Sequence, residues 1–221
     1  MDFNSLNPGT IIAVVVSLTL APFVAVMVTS FTKIVVVLSL LRNALGLQQT
    51  PPNVVINGLA MILSIYVMYP VITESYQIAL DTLETNNKPN LSLADVTNVI
   101  NSAKEPFKGF LIRHSSEDER LFFQQSLQGI LTDDDASEIQ SNDLMVIIPA
   151  FTVSELTSAF QIGFLIFLPF LIIDMIVANV LLALGMMMLS PTMVSMPFKL
   201  LLFVVISGWT RLIHGLVMTY M

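Results

Sequence analysis

Four long apolar runs, at 11–41, 54–76, 144–189 and 198–220, alternate with polar connectors along the chain. Each reads as helix, and two are too long for one simple membrane span. Straightened into a single helix, the 31 residues of 11–41 would reach about 46 Å at 1.5 Å per residue, against a hydrocarbon core of roughly 30 Å. Pro22 and Pro169 lie inside the first and third runs, where each removes a backbone hydrogen bond and kinks the helix. Backbone freed by a kink must be satisfied by protein or water, so broken apolar helices imply an assembled interior.

The polar stretch between the second and third runs carries its own helix punctuation. Ser92 precedes Val96, Val99, Ile100 and Ala103 at helical spacing, and Pro106 stops that run. Ser116-Glu117-Asp118-Glu119 is a capping-box pattern that opens a second helix through Leu127, with Gly129 as its stop. Asp133, Asp134 and Asp135 follow as a solvated loop, and no strand alternation competes. The expected architecture is therefore all-α: kinked hydrophobic helices in four membrane-like blocks, with a small helical hydrophilic insertion. Its units are a hairpin over 1–76, the acidic insertion over 77–143, and a second hairpin over 144–221.

Composition agrees with the pattern. Of 221 residues, 55% are hydrophobic and 11% charged, and the mean hydropathy of +0.80 is more than a water-soluble fold can bury. The net charge of −7 is concentrated, since residues 74–143 hold five Lys/Arg against thirteen Asp/Glu (−8) and the rest four against three (+1). An acidic insertion argues against nucleic acid as a partner. Cysteine is absent, which removes disulfides, thiol nucleophiles and thiolate metal sites. The run at 11–41 is about twice the length of a signal-peptide core and follows no basic residue, so it reads as retained structure.

Basic residues near short loops set the expected orientation. Arg42 borders the 43–53 connector, which Gly46 and Pro51-Pro52 punctuate, and Lys199 borders the 190–197 connector. Both read as cytoplasmic, placing the acidic insertion outside.

Enzyme chemistry fails on inventory. His114 and His214 are the only histidines, there is no His-Glu-x-x-His pattern, and Asp174 is the only Asp in any apolar run. Ser207 and His214 share a helical face seven residues apart, but no nucleophile elbow surrounds the serine. No catalytic residue, metal ligand or cofactor is expected.

What remains is a set of charges and methionines in hydrocarbon. Charges at bilayer depth cost roughly 2.5–3.5 kcal/mol each, so those kept there face protein or water. Glu155 reads as a helix-start acid complementing the macrodipole, with Ser154 as the cap, and also, compatibly, as one half of a charge pair with Lys199. Asp174, in mid-run, has no capping role and answers Arg211 or Lys33, or lines a hydrated path. Arg42 reads as snorkelling to the interface. Met186, Met187 and Met188 cannot share one helix face; between Gly185 and Pro191 they form a loop whose compliant side chains suit an apolar constriction.

The runs carrying these residues resemble the FliP/SctR proteins of type III secretion export gates. The resemblance is carried by three stretches: 149–164 (PAFTVSELTSAFQIGF); Pro169 to Asp174 with Gly185-Met-Met-Met-Leu-Ser-Pro191 and Pro197-Phe198-Lys199; and Thr29-Ser30-Phe31-Thr32-Lys33 with Arg42-Asn43-Ala44-Leu45-Gly46 and Pro51-Pro52-Asn53. It implies a core, pore-forming gate subunit in the bacterial inner membrane that conducts unfolded protein substrates. It also implies a homo-pentamer joined by SctS-like and SctT-like subunits and an SctU-like switch protein into a helical, cone-shaped assembly, with the acidic insertion on the periplasmic side. In that family the gate is lifted out of the membrane plane, so four insertable blocks need not remain four spans. The resemblance further maps a gasket onto Met186, Met187 and Met188, and an intersubunit salt bridge onto Glu155 and Lys199. Starting directly at its first block, the chain looks closer to the injectisome branch than to the flagellar one. The competing reading is a secondary transporter or ion channel with Glu155 and Asp174 as coupling carboxylates.

Overall fold

The computed structural model describes residues 8–86, 93–131, 139–186 and 188–221. Among them all regular structure is helical: α1 (Pro8–Met27), α2 (Phe31–Ala44), α3 (Asn53–Asn86), α4 (Leu93–Ala103), α5 (Glu105–Arg113), α6 (Glu117–Ile130), α7 (Leu144–Ala183), α8 (Pro191–Val205) and α9 (Gly208–Met218). Ser92, Asp133 to Asp135 and Met187, to which the sequence assigns a cap, a loop and part of the Met turn, lie outside the described residues.

The first apolar run breaks as its length requires, but at residues 28–30 and not at Pro22, which α1 carries internally. Hydroxyl side chains explain the position. Thr32 Oγ1 donates to the Val26 carbonyl at 3.1 Å, serving an acceptor near the end of α1, and buried Ser30 donates across to Ser64 Oγ on α3 at 3.1 Å. Pro169 likewise lies inside the 40-residue α7, and Pro70 inside the 34-residue α3.

Glycine ends α7 where the sequence places the stop. Gly185, at φ 73°, donates its N–H to Leu182 O at 3.0 Å, while Met186 N–H reaches Leu181 O at 2.9 Å, the paired closure that needs a left-handed residue. Gly46 closes α2 in the same way.

α2 is the centre of the molecule. Lys33, Ile34, Val37, Leu38, Leu41 and Ala44 are all buried, packed between stripes of α3 (Ile56, Ala60, Ser64, Met68) and α7 (Ile147, Phe151, Glu155, Ala159, Gly163) that recur every four residues. At Gly163 the helices touch so closely that a Cβ would overlap the Leu40 side chain. The other faces stay apolar and exposed, as at Ile62, Ile65, Tyr66 and Tyr69 of α3 and Phe164, Leu165, Ile172 and Ile176 of α7.

Several boundaries differ from expectation. α3 continues ten residues past position 76, so no helix end separates the first hairpin from the insertion. Gly129 lies within α6 and does not stop it, and Ser116 makes no side-chain cap; its N–H instead donates to Ser154 Oγ on α7 at 2.8 Å. Nor is the insertion a separate body, because Phe110 and Leu111 of α5 bury in the main core, with the Phe110 ring 5.8 Å from Phe151. Local pattern finds helices, whereas which helix extends or docks is decided by the apolar surface it meets.

α3 and α7 are each long and apolar enough to cross a membrane, and α8 with α9, bent by 63° at Ile206–Ser207, is so as a broken pair. Ser207 supplies the bend with φ 54°, left-handed for a non-glycine.

Candidate functional site

α7 starts at Leu144, so Glu155 is three turns inside a helix and the helix-start reading of it falls. Ser154 is no cap either, since its hydroxyl donates back to Ala150 O at 2.7 Å. Glu155 points into the centre of the fold, where its Oε1 lies 2.7 Å from Lys33 Nζ, and the two side chains are 2% and 5% exposed. Tyr220 closes the site: its hydroxyl donates to Glu155 Oε2, and Lys33 Nζ stands 4.3 Å above its ring. The Tyr220 ring stacks on Phe110 at 6.1 Å and meets the edge of His114 at 5.1 Å. One buried ion pair therefore joins α2, α7, α5 and the residues beyond α9.

His114 sits in that wall as a neutral imidazole. Burial first, then the Lys33 and Arg113 charges, lower its pKa from 6.5 to about 4.

A second ion pair lies further along α7. Asp174 Oδ2 is 2.7 Å from Lys199 Nζ of α8, and Asp174 Oδ1 accepts a 2.5 Å hydrogen bond from Ser195 Oγ. Lys199 also donates to Ala44 O at 3.1 Å, capping the C-terminal end of α2. The partner of Asp174 is therefore Lys199, and neither Arg211 nor Lys33.

Within this chain Glu155 and Lys199 are not brought together, because each is held by another residue at 2.7 Å. Arg42 folds onto the connector it borders, donating from Nη1 to Asn53 Oδ1 at 2.6 Å and Pro51 O at 3.3 Å, instead of reaching outward. Arg211 is exposed beside an apolar groove of about 360 Å³ between α7 and α9, with no ion pair to another described residue. Ser207 and His214 are both exposed.

The Met-bearing turn is the tip of the α7–α8 hairpin. Met186 is half exposed and Met188 fully exposed, in a turn that opens with Gly185 and ends where Pro191 starts α8. Tyr220, Ser195 and Ser30 are the site residues that sequence reasoning missed. A serine or a terminal tyrosine in an apolar run is ordinary; only the fold shows that Tyr220 and Ser195 donate to the carboxylates of the two ion pairs and that the Ser30 carbonyl accepts from the Tyr220 hydroxyl at 3.4 Å.

The FliP family pattern matches residues 14–216 of the chain. The hypersensitivity response secretion protein HrcR of Ralstonia nicotianae is 49% identical over 212 residues, covering 96% of this chain and 97% of its own. Yop proteins translocation protein R of Yersinia pestis is 49% identical over 212 residues, covering 95% of each. The surface presentation of antigens protein SpaP of Salmonella typhimurium is 38% identical over 222 residues, covering 97% of each.

Proposed function

Because this chain belongs to the FliP family of type III secretion export-apparatus subunits, we propose that it is a pore-forming subunit of the export gate, through which unfolded protein substrates cross the bacterial inner membrane. The observation that carries the reading is the Met turn, which presents flexible apolar side chains at a hairpin tip with Met188 wholly uncovered. An apolar ring of such side chains, one turn from each copy, excludes ions when closed and deforms around a passing chain.

Assembly is supported by what the single chain leaves bare. Only 11% of the most apolar stretch of α7 and 28% of that of α3 is buried inside the molecule, so lipid or other subunits must cover the rest. The partners proposed are further copies of the chain, as a pentamer, with SctS-like, SctT-like and SctU-like subunits. The insertion faces the periplasm in this reading, by the positive-inside argument. The names of the relatives, which concern Yop translocation and the hypersensitivity response, favour the injectisome branch. The transporter reading has less support, since its two carboxylates are each paired with a lysine within the chain.

In the assembled gate, a bridge joins Glu155 of one copy to Lys199 of its neighbour. Forming it means that Lys33 and Asp174 give up their partners or share them.

Replacing Met186, Met187 and Met188 together by Ala tests the gasket. The co-expressed complex is expected to assemble, seen by native mass spectrometry, and to conduct ions in a planar bilayer where the parent is closed. Unchanged conductance sinks the gasket, and a chain that stays monomeric beside its partners sinks the gate.

A further inference from the structure

Resting on the gate reading, we propose that Asp174 is a positioning residue for the Met-bearing turn: with Ser195 and Lys199 it latches α8 onto α7 and α2 and so fixes where the hairpin tip stands. The latch has three strands. Asp174 binds Lys199 at 2.7 Å and Ser195 at 2.5 Å, and Lys199 reaches the Ala44 carbonyl at 3.1 Å. Ser195 and Lys199 are buried on α8, so their geometry is set by packing, while the Asp174 side chain is 23% exposed.

The latch sits at the base of two matched arms. Asp174 lies nine residues before the end of α7 and Lys199 eight after the start of α8, so at 1.5 Å per residue the turn is carried about 12–14 Å past it. Little else holds the arms together. Among the described residues between Asp174 and Ser195, Leu181 is the only buried side chain. Over this length the hairpin cannot set its register by apolar packing, and the directional bonds of a carboxylate do so instead. Slipping α8 by one residue would shift the tip by about 1.5 Å and turn its side chains by about 100°. Lys199 conveys the position to α2, the most buried helix, through the carbonyl at its C-terminal end.

The test uses the co-expressed gate complex and the isolated chain. Asp174→Asn keeps the shape and an acceptor for Ser195 but removes the charge; the complex is expected to assemble and to leak ions severalfold faster than the parent. Asp174→Glu, which keeps the charge and leaves Lys199 in place, is expected to restore most of the seal. A tight D174N complex, or a D174E complex that leaks as much as D174N, overturns the latch. Should D174N fail to assemble, spin labels on cysteines placed at Gln48 and Met188 of the otherwise cysteine-free chain decide: a broadened distance distribution in D174N supports the latch and an unchanged one overturns it. A broadened distribution beside a Met triple variant that does not leak leaves the latch standing and removes the gate reading alone.

Discussion

Reversing the charge at Glu155 separates two partners for the same carboxylate. In this fold Glu155→Lys would set two ammonium groups where one pair now sits, with side chains 2% and 5% exposed and the Tyr220 hydroxyl donating into the same site. Breaking a buried pair costs about 3–5 kcal/mol because the remaining charge is desolvated and unmatched. Like charges add repulsion, and a hydrogen bond to a charged group, here from Tyr220, is worth about 1.5–3 kcal/mol. The single variant should therefore lose a large part of the roughly 5–15 kcal/mol that holds a typical domain folded. Lys33→Glu in the same chain restores the pair with reversed sign, though not the cation–π contact with Tyr220, so rescue is expected to be partial, with about 1 kcal/mol or more still missing. The assay is reversible unfolding of the isolated chain in detergent for parent, both singles and the double. A double variant no more stable than the sum of the singles predicts would refute the pairing. The contrasting exchange, Glu155→Lys with Lys199→Glu, is read by crosslinking yield of the oligomer. Rescue there and not in the isolated chain would mean that assembly transfers Glu155 from Lys33 to a neighbour.

Two further outcomes follow from close contacts. Gly163→Ala places a Cβ in the Leu40 side chain and should cost about 1–3 kcal/mol despite the better helix propensity of Ala, with Leu40→Ala recovering part of it; a lower melting temperature that L40A does not relieve would contradict the proximity. Because His114 has its folded pKa lowered to about 4 from 6.5, the unfolded chain binds the extra proton, so stability falls as the pH drops from about 6.5 towards 4 and is unaffected above it. His114→Gln should flatten that part of the pH profile, measured as the difference from parent so that the neighbouring carboxylates cancel; parallel profiles would refute it.

The helix stops at Gly46 and Gly185 were legible because they rest on one residue's backbone freedom. The suspicion attached to Lys33, Glu155, Asp174 and Lys199 was legible too, since the cost of a charge in hydrocarbon does not depend on the fold. Their partners were not. Lys33 and Glu155 are over a hundred residues apart, and nothing local distinguishes Lys33 from Lys199 as the mate of Glu155. The break at residues 28–30 was hidden for a related reason: Pro22 is the stronger local signal, yet Ser30 has a hydroxyl to meet on α3.

The sequence by itself determined the all-helical class, the four apolar runs, the turn that bears the methionines and the family to which the chain belongs. The first three depend on periodicity, on glycine and proline, and on the sum of hydropathy, and the family on the three motif stretches, all of which are read along the chain. Tertiary structure alone decided that α2 is the helix packed between α3 and α7, that α5 of the acidic insertion joins the core, and which lysine answers which carboxylate. Those outcomes depend on distance in space, where a bond of 2.7 Å is fixed by how three helices pack.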